Sequence, residues 1–348
     1  MKTIWLKHID GFIGDFLNGF FPERNRRAPK SVNRVLIIRP GGMGDAVLLI
    51  PMIKKIRYLY KDVEIDILAE TRNADVFYLL DFDINVYRYD KINEFLGVLR
   101  KQYDLVFDTE QWHKMSSLVA RYLGKFTVGF DANSRRKNFD VKVKYSHTEY
   151  EVESFLNLLR AYCETLEINM EFDWDYPFLN VENTDKFYDI VIFTGASVDF
   201  RKWEKKKYAR LLNKLSQKGL KVAFIGSKDD VEFNKTILDM CNNCADDYSG
   251  KTNLKETAKV IASSRLLFST DSGILHIGAA LGINTVSLFG PGIEYKWAPK
   301  GENHKTVNMY LPCSPCTRFG YTPKCPYDVR CMKEIDVNRV FKAITSLL

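Results

Sequence analysis

No apolar run in this chain of 348 residues is long. None approaches the roughly 18–20 residues that crossing a bilayer requires, so no membrane-spanning helix is expected. A secretory leader is not expected either. Asp10 and Asp15 interrupt the apolar N-terminal stretch, and no small-residue cleavage site follows. Neither sign of charge dominates: 51 Lys and Arg against 44 Asp and Glu leave a net charge of +7. That mild excess favours anionic partners. It does not imply nucleic acid, because no basic-and-aromatic recognition module accompanies it. The seven cysteines are odd in number and come with no export signal, which points to a reducing compartment and a cytoplasmic protein. Short-period repeats and low-complexity tracts are missing, and so are a P-loop and a G-x-G-x-x-G turn.

What is present is an α/β pattern, written twice. The hydrophobic content of 46% is ordinary for a globular chain, and the length suits two domains with sizeable cores. In the first half, Val35–Ile38, Val63–Leu68, Leu105–Phe107 and Thr127–Phe130 read as buried strands separated by helical patterns. In the second half, Ile190–Phe193, Val222–Ile225, Leu266–Phe268 and Thr285–Phe289 do the same. Such alternation gives parallel sheets, with ligands at the carboxyl ends of the strands and a cleft between the halves. The expected divisions are a basic amphipathic segment (1–30), a first Rossmann-like domain (31–175), a second (176–335) and a last helix (336–348). In the opening segment Trp5, Leu6, Ile9, Phe12, Ile13, Phe16, Leu17 and Phe20 would share one helical face, followed by Arg24, Arg26, Arg27 and Lys30. Aromatics beside a basic cluster suit the surface of an anionic membrane; the alternative is a helix docked on the protein's own core.

Chemistry-bearing residues gather at the strand ends. Gly41-Gly42-Met43-Gly44 lets a ligand approach the backbone and delivers Asp45, either as a general base on a hydroxyl or as a helix cap. Gly195 closes the first strand of the second half, and Arg201-Lys202-Trp203 follows before a helix. A cation pair there could hold a diphosphate and stabilise its departure, or could belong to a solvated basic face. Asp230, after Gly226, could accept from ribose hydroxyls or cap a helix. Thr270-Asp271-Ser272-Gly273, with His276 one turn on, aims a helix N-terminus at an anion.

The cysteines Cys313, Cys316, Cys325 and Cys331 are spaced C-x2-C-x8-C-x5-C. That is compatible with a structural zinc or with free thiols packed in a loop. Cys241 and Cys244 read as incidental, and so does the D-x-D of Asp173-Trp174-Asp175, which lies away from any strand end.

Taken in order, these stretches resemble glycosyltransferase family 9, the lipopolysaccharide heptosyltransferases. The match runs from the glycine turn through Arg201-Lys202-Trp203, Gly226 with Asp230, Gly250-Lys251-Thr252-Asn253-Leu254-Lys255-Glu256 and Thr270–His276 to Phe289-Gly290-Pro291, over roughly residues 33–335. The resemblance implies a GT-B fold whose last helix packs back on the first domain. It also implies inverting, metal-independent transfer of heptose from an ADP-activated donor to a lipid-linked core acceptor, with no cofactor required. By similarity Asp45 is the base, Arg201 or Lys202 binds the donor phosphates, Asp230 the ribose, and Thr270, Asp271, Ser272, Gly273 and His276 the pyrophosphate and sugar. The family's phosphate-binding lysine usually stands where this chain has Arg201. The basic stretches Arg34–Arg39 and Arg135–Lys144 are then expected to face an anionic acceptor. Another nucleotide sugar, or sugar-nucleotide binding without turnover, would fit the same pattern.

Overall fold

The computed structural model describes residues 10, 14–16, 18–182, 187–242, 244–318 and 321–348. The chain divides into two compact units, 1–174 and 175–348. In the first, β1 (Arg34–Ile38) leads into α1 (Met43–Leu48) and α2 (Ile50–Leu59). Then come β2 (Glu64–Ala69), α3 (Ala74–Phe77), β3 (Asn85–Arg88), α4 (Ile92–Leu99), β4 (Tyr103–Asp108), α5 (Met115–Leu123), β5 (Gly124–Phe130), β6 (Val141–Val143) and α6 (Glu151–Thr165). The strands form one parallel sheet in the order β3-β2-β1-β4-β5-β6. Pro51 falls in the first turn of α2, where its missing N–H costs nothing, and the helical run is split just before it.

The second unit repeats the plan with β7 (Tyr188–Phe193), α7 (Lys205–Ser216), β8 (Val222–Ile225), α8 (Val231–Asp239), β9 (Asp246–Asp247), α9 (Leu254–Ala262), β10 (Ser264–Thr270), α10 (Gly273–Ala280), β11 (Asn284–Phe289), α11 (Glu294–Trp297), β12 (His304–Asn308), α12 (Arg330–Lys333) and α13 (Val337–Thr345). Its sheet is also parallel, ordered β12-β11-β10-β7-β8-β9. Central strands such as Leu266-Leu267-Phe268 are buried on both faces, which is why they read as unbroken apolar runs.

The apolar stripe of α13 is buried within the second unit. Val337, Val340 and Ile344 are buried with Leu211, Leu212 and Leu215 of α7 in the core of the second unit. The last helix packs on α7, β11 and β12 of its own unit. The reading of Cys241 and Cys244 as incidental is corrected. They form a disulfide, since the turn that ends α8 brings their Cα atoms to 5.7 Å, within bonding range. Asp173 and Trp174 are structural: Asp173 pairs with Lys55 at 2.6 Å, and the Trp174 indole donates to Glu153 Oε1 at 2.6 Å.

Of the opening segment, Trp5, Leu6, Ile9, Phe12, Ile13 and Leu17 lie outside the described residues. The described part sits on the first unit through its polar side chains. Asn18 is fully buried and accepts from Asn138 Nδ2 at 2.6 Å. Arg24 is buried on Asp140 at 3.0 Å and donates to the carbonyls of Arg121, Gly124 and Lys125. Phe16 and Phe20 point outward, 61% and 72% exposed, with their rings 4.9 Å apart. Among the described residues no helix is long and apolar enough to cross a membrane.

Candidate active site

In the first unit the site is built where β1 and β4 end side by side, Ile38 registering with Asp108. Gly41 takes φ +114°, a conformation that side chains disfavour, and donates its N–H to Glu70 Oε2 at 3.2 Å. Gly42 is the N-cap of α1 by backbone alone, and Asp45 occupies the third helical position. Asp45 is therefore not the cap, and it stands half-buried at the sheet end. Its charge reaches Tyr145, whose hydroxyl is buried, donates to Glu151 Oε2 at 2.8 Å and is held protonated. Burial is the main cause, with Glu151 and Asp45 adding to it.

Beneath the glycine turn four charged side chains are buried together: Arg39, Asp108, Glu110 and Arg135. Arg135 meets Asp108 at 2.6 Å and also donates to the Glu110 carbonyl. Arg39 lies 3.8 Å from Glu110, donates to the carbonyls of Thr109 and Pro40, and stacks over Phe155. Burial pushes the Asp108 carboxyl up, against the pull of Arg135. Burial opposes ionisation of Glu110 too, yet Arg39, His113 and Arg135 hold it below the usual carboxylate range. This corrects the reading for Arg39 and Arg135, which were expected to face the acceptor. Arg39 and Arg135 are spent on internal carboxylates, and Arg34 pairs with Glu64 at 2.8 Å. None of the four was singled out from the sequence as a partner of another. The acids at the end of the Leu105–Phe107 run were the available signal.

The second unit gathers its residues at the carboxyl ends of β7, β8 and β10. Thr270 Oγ1 donates to the Gly195 carbonyl at 2.5 Å, tying two strand ends together. Asp230 lies against Gly195, where an added Cβ would come within 2.9 Å of its carboxylate. Its Oδ2 accepts from the Ser227 N–H and hydroxyl, both at 2.8 Å, completing a capping box on the turn that leads into α8. Ser272, rather than Asp271, caps α10, accepting from the Leu275 N–H. Asp271 instead pairs with Arg201 at 3.2 Å. The buried Arg201 Nε has no hydrogen-bond partner. Gly292 approaches the Asp271 carboxylate so closely that a Cβ would collide with it. Lys202 goes elsewhere, to Asp199 at 2.9 Å and over the Phe233 ring. Of the two adjacent cations, the structure brings Arg201 to the helix N-terminus. Trp203 is a core residue whose indole donates to the Ile335 carbonyl.

His276 is buried in α10, its Nδ1 is without a partner, and burial pushes its pKa down to about 4. It offers a neutral imidazole and not a cation. Its folded pKa lies below the ordinary value of 6.5, so the unfolded chain takes up a proton that the folded one refuses. Stability is then complete above about pH 6.5 and is lost as the pH falls toward about 4. At about pH 5 the loss from His276 should be about 2 kcal/mol. Urea midpoints at pH 7 and 5 should converge in a His276→Asn variant, and an undiminished pH dependence would assign the effect to other groups.

The free thiols of Cys313, Cys316, Cys325 and Cys331 lie close enough to affect one another. Burial and then the neighbouring cysteines push Cys331 up to about 11. Among the described residues no three His, Cys, Asp or Glu side chains converge as metal ligands.

The family model for "Glycosyltransferase family 9 (heptosyltransferase)" matches residues 95–325, spanning the end of the first unit and most of the second. The chain belongs to glycosyltransferase family 9. It is an enzyme of the glycosyltransferase class, built on the GT-B fold of two parallel-sheet units. The lipopolysaccharide core heptosyltransferase OpsX of Haemophilus influenzae is 24% identical over 309 residues, covering 81% of this chain and 85% of that protein. E. coli ADP-heptose lps heptosyltransferase II superposes with a TM-score of 0.72 at 20% identity, over 90% of this chain and 98% of the other. E. coli heptosyltransferase WaaC with ADP-2-deoxy-2-fluoro heptose gives 0.71 at 18% identity, over 90% and 100%.

Proposed function

We propose that this family-9 enzyme transfers heptose from an ADP-heptose donor to a lipid-linked, anionic saccharide of the lipopolysaccharide core. The observation that carries the donor side is Arg201 at the N-terminus of α10, paired with Asp271 at 3.2 Å beside the Thr270–Gly195 tie. A guanidinium and a helix N-terminus offer a diphosphate both charge and N–H donors without a divalent ion. Arg201 would exchange its bond to Asp271 for the donor phosphates and stabilise the diphosphate as it leaves. Thr270, Ser272 and Gly273 line that turn. Asp230 retains one carboxylate oxygen beside Gly195 for a ribose hydroxyl, and neutral His276 can donate one N–H. Asp45 takes the proton of the acceptor hydroxyl, which attacks the anomeric carbon directly and inverts it. Relatives named for the same transfer, and a similar fold solved with an ADP-heptose analogue, support the choice of donor. Outward-facing Phe16 and Phe20 beside basic Arg26 and Arg27 support work at the cytoplasmic surface of the inner membrane.

Titration calorimetry with ADP, UDP and GDP, without divalent metal, tests this reading. ADP should bind best, and Arg201→Ala should weaken it about tenfold or more, while Lys202→Ala changes it less than threefold. A UDP or GDP preference would move the function to another nucleotide sugar for surface polysaccharide. ADP binding without transfer would leave a sugar-nucleotide-binding protein.

A further inference from the structure

The described part of the N-terminal segment touches one loop in particular, residues 111–114 between β4 and α5. Asp10 accepts from the backbone N–H groups of Lys114 and Met115, both at 2.9 Å, with one carboxylate oxygen on each. Those are two of the N–H groups that the start of a helix leaves without a partner. The N-cap residue of α5, Lys114, has no side chain able to accept from them. Asp10 is thus the cap of α5, supplied from 104 residues upstream. His113 Nδ1 lies 3.6 Å from the same carboxylate.

Asp15 extends the grip by pairing with the Lys114 ammonium and accepting from Ser134 Oγ at 2.5 Å. Gly14 passes so close to Lys114 that an added Cβ would lie 2.4 Å from the lysine's own Cβ. The far end of the loop is fixed independently, because buried Glu110 accepts from the N–H groups of Gln111 and Trp112 at 2.9 and 2.8 Å. The loop leaves β4 at the strand end next to the one that gives rise to the glycine turn and Asp45. It presents Trp112 with 56% of its surface open and His113 partly open. An exposed indole presents apolar ring area that a sugar ring can pack against.

We infer that the N-terminal segment belongs to the acceptor site as well as to the membrane-facing surface, and that Asp10 is a positioning residue setting the Gln111–Lys114 loop, with Trp112, beside Asp45. This rests on the reading of the first unit as the acceptor side. The segment's outward phenylalanines and its inward carboxylate then sit on one short piece of chain, so contact with a lipid surface and the readiness of the acceptor loop are mechanically connected.

The test uses the full-length enzyme and a lipid-free, phosphorylated inner-core saccharide, so that tethering to a bilayer plays no part. Asp10→Ala should speed amide exchange at Lys114 and Met115 and weaken saccharide binding about fivefold to tenfold, with ADP affinity unchanged within twofold. Asp10→Asn keeps one acceptor oxygen and should restore part of the protection and part of the binding. Faster exchange with unaltered saccharide binding would overturn the inference, as would a defect seen only when the acceptor is embedded in anionic vesicles. Wild-type enzyme that neither binds nor glycosylates the saccharide would sink the acceptor reading itself, and this inference with it.

Discussion

An Asp45→Asn enzyme is expected to lose roughly 10²–10⁴-fold in kcat while binding ADP as tightly as the parent. The side chain is not needed to start α1, because Gly42 is the N-cap and makes no side-chain cap bond. Asparagine keeps the volume and the polarity, so the fold and the glycine turn should be untouched. What disappears is the capacity to take a proton as the acceptor oxygen attacks. Donor affinity resides in the second unit, at Arg201, Thr270 and the α10 N-terminus, and should be preserved. Single-turnover transfer read beside ADP calorimetry separates the two quantities. Full turnover in Asp45→Asn would remove Asp45 as the base and leave the fold assignment intact.

The largest effect on stability is expected at the buried Asp108–Arg135 pair, and it should be asymmetric. Both side chains are fully buried and 2.6 Å apart. Asp108→Ala strands a guanidinium that stays charged at any practical pH, and should cost about 3–5 kcal/mol. Arg135→Met leaves a carboxyl that burial already pushes up, so Asp108 can take a proton and shed its charge. That variant should lose about half as much. The double variant should be more stable than the sum of the single losses implies, by about 2 kcal/mol. Urea unfolding of the three variants at neutral pH measures this cycle. Equal losses from the two single changes would mean that Asp108 stays ionised without its partner.

Much of the fold was legible because central strands of a parallel sheet must be apolar on both faces. The eight runs read as strands from the sequence are the inner strands of the two sheets. The four without an expected counterpart, β3, β6, β9 and β12, are the edges. Asn85–Arg88 and Asp246–Asp247 are too polar and too short to announce themselves, since an edge strand buries little. The candidate site was legible where its residues are contiguous, as in Gly41–Asp45 and Thr270–Gly273. It was hidden where partners are distant in sequence. Asp108 and Arg135 are 27 positions apart, and isolated charges look like solvated surface until the fold buries them. The choice between Arg201 and Lys202 needed geometry for a different reason. The short 3-10 turn Asp199–Arg201 ends just before Lys202 and sends the two neighbouring side chains in different directions.

The clamp at Arg24 also says something about how the protein is made. Arg24 finds Asp140 116 residues later, and Asp10 finds Lys114 104 residues later. At translation speeds of about 5–20 residues per second, the segment emerges some 5–20 seconds before its docking surface exists. Throughout that interval its phenylalanines and arginines belong to a nascent chain with no folded partner to hold them. The first surface they can meet is whatever lies near the ribosome. Once Asp140 has left the exit tunnel, Arg24 can close onto it and fix the segment's polar face while its phenylalanines stay outside. Docking of the segment can therefore only follow synthesis of most of the first unit.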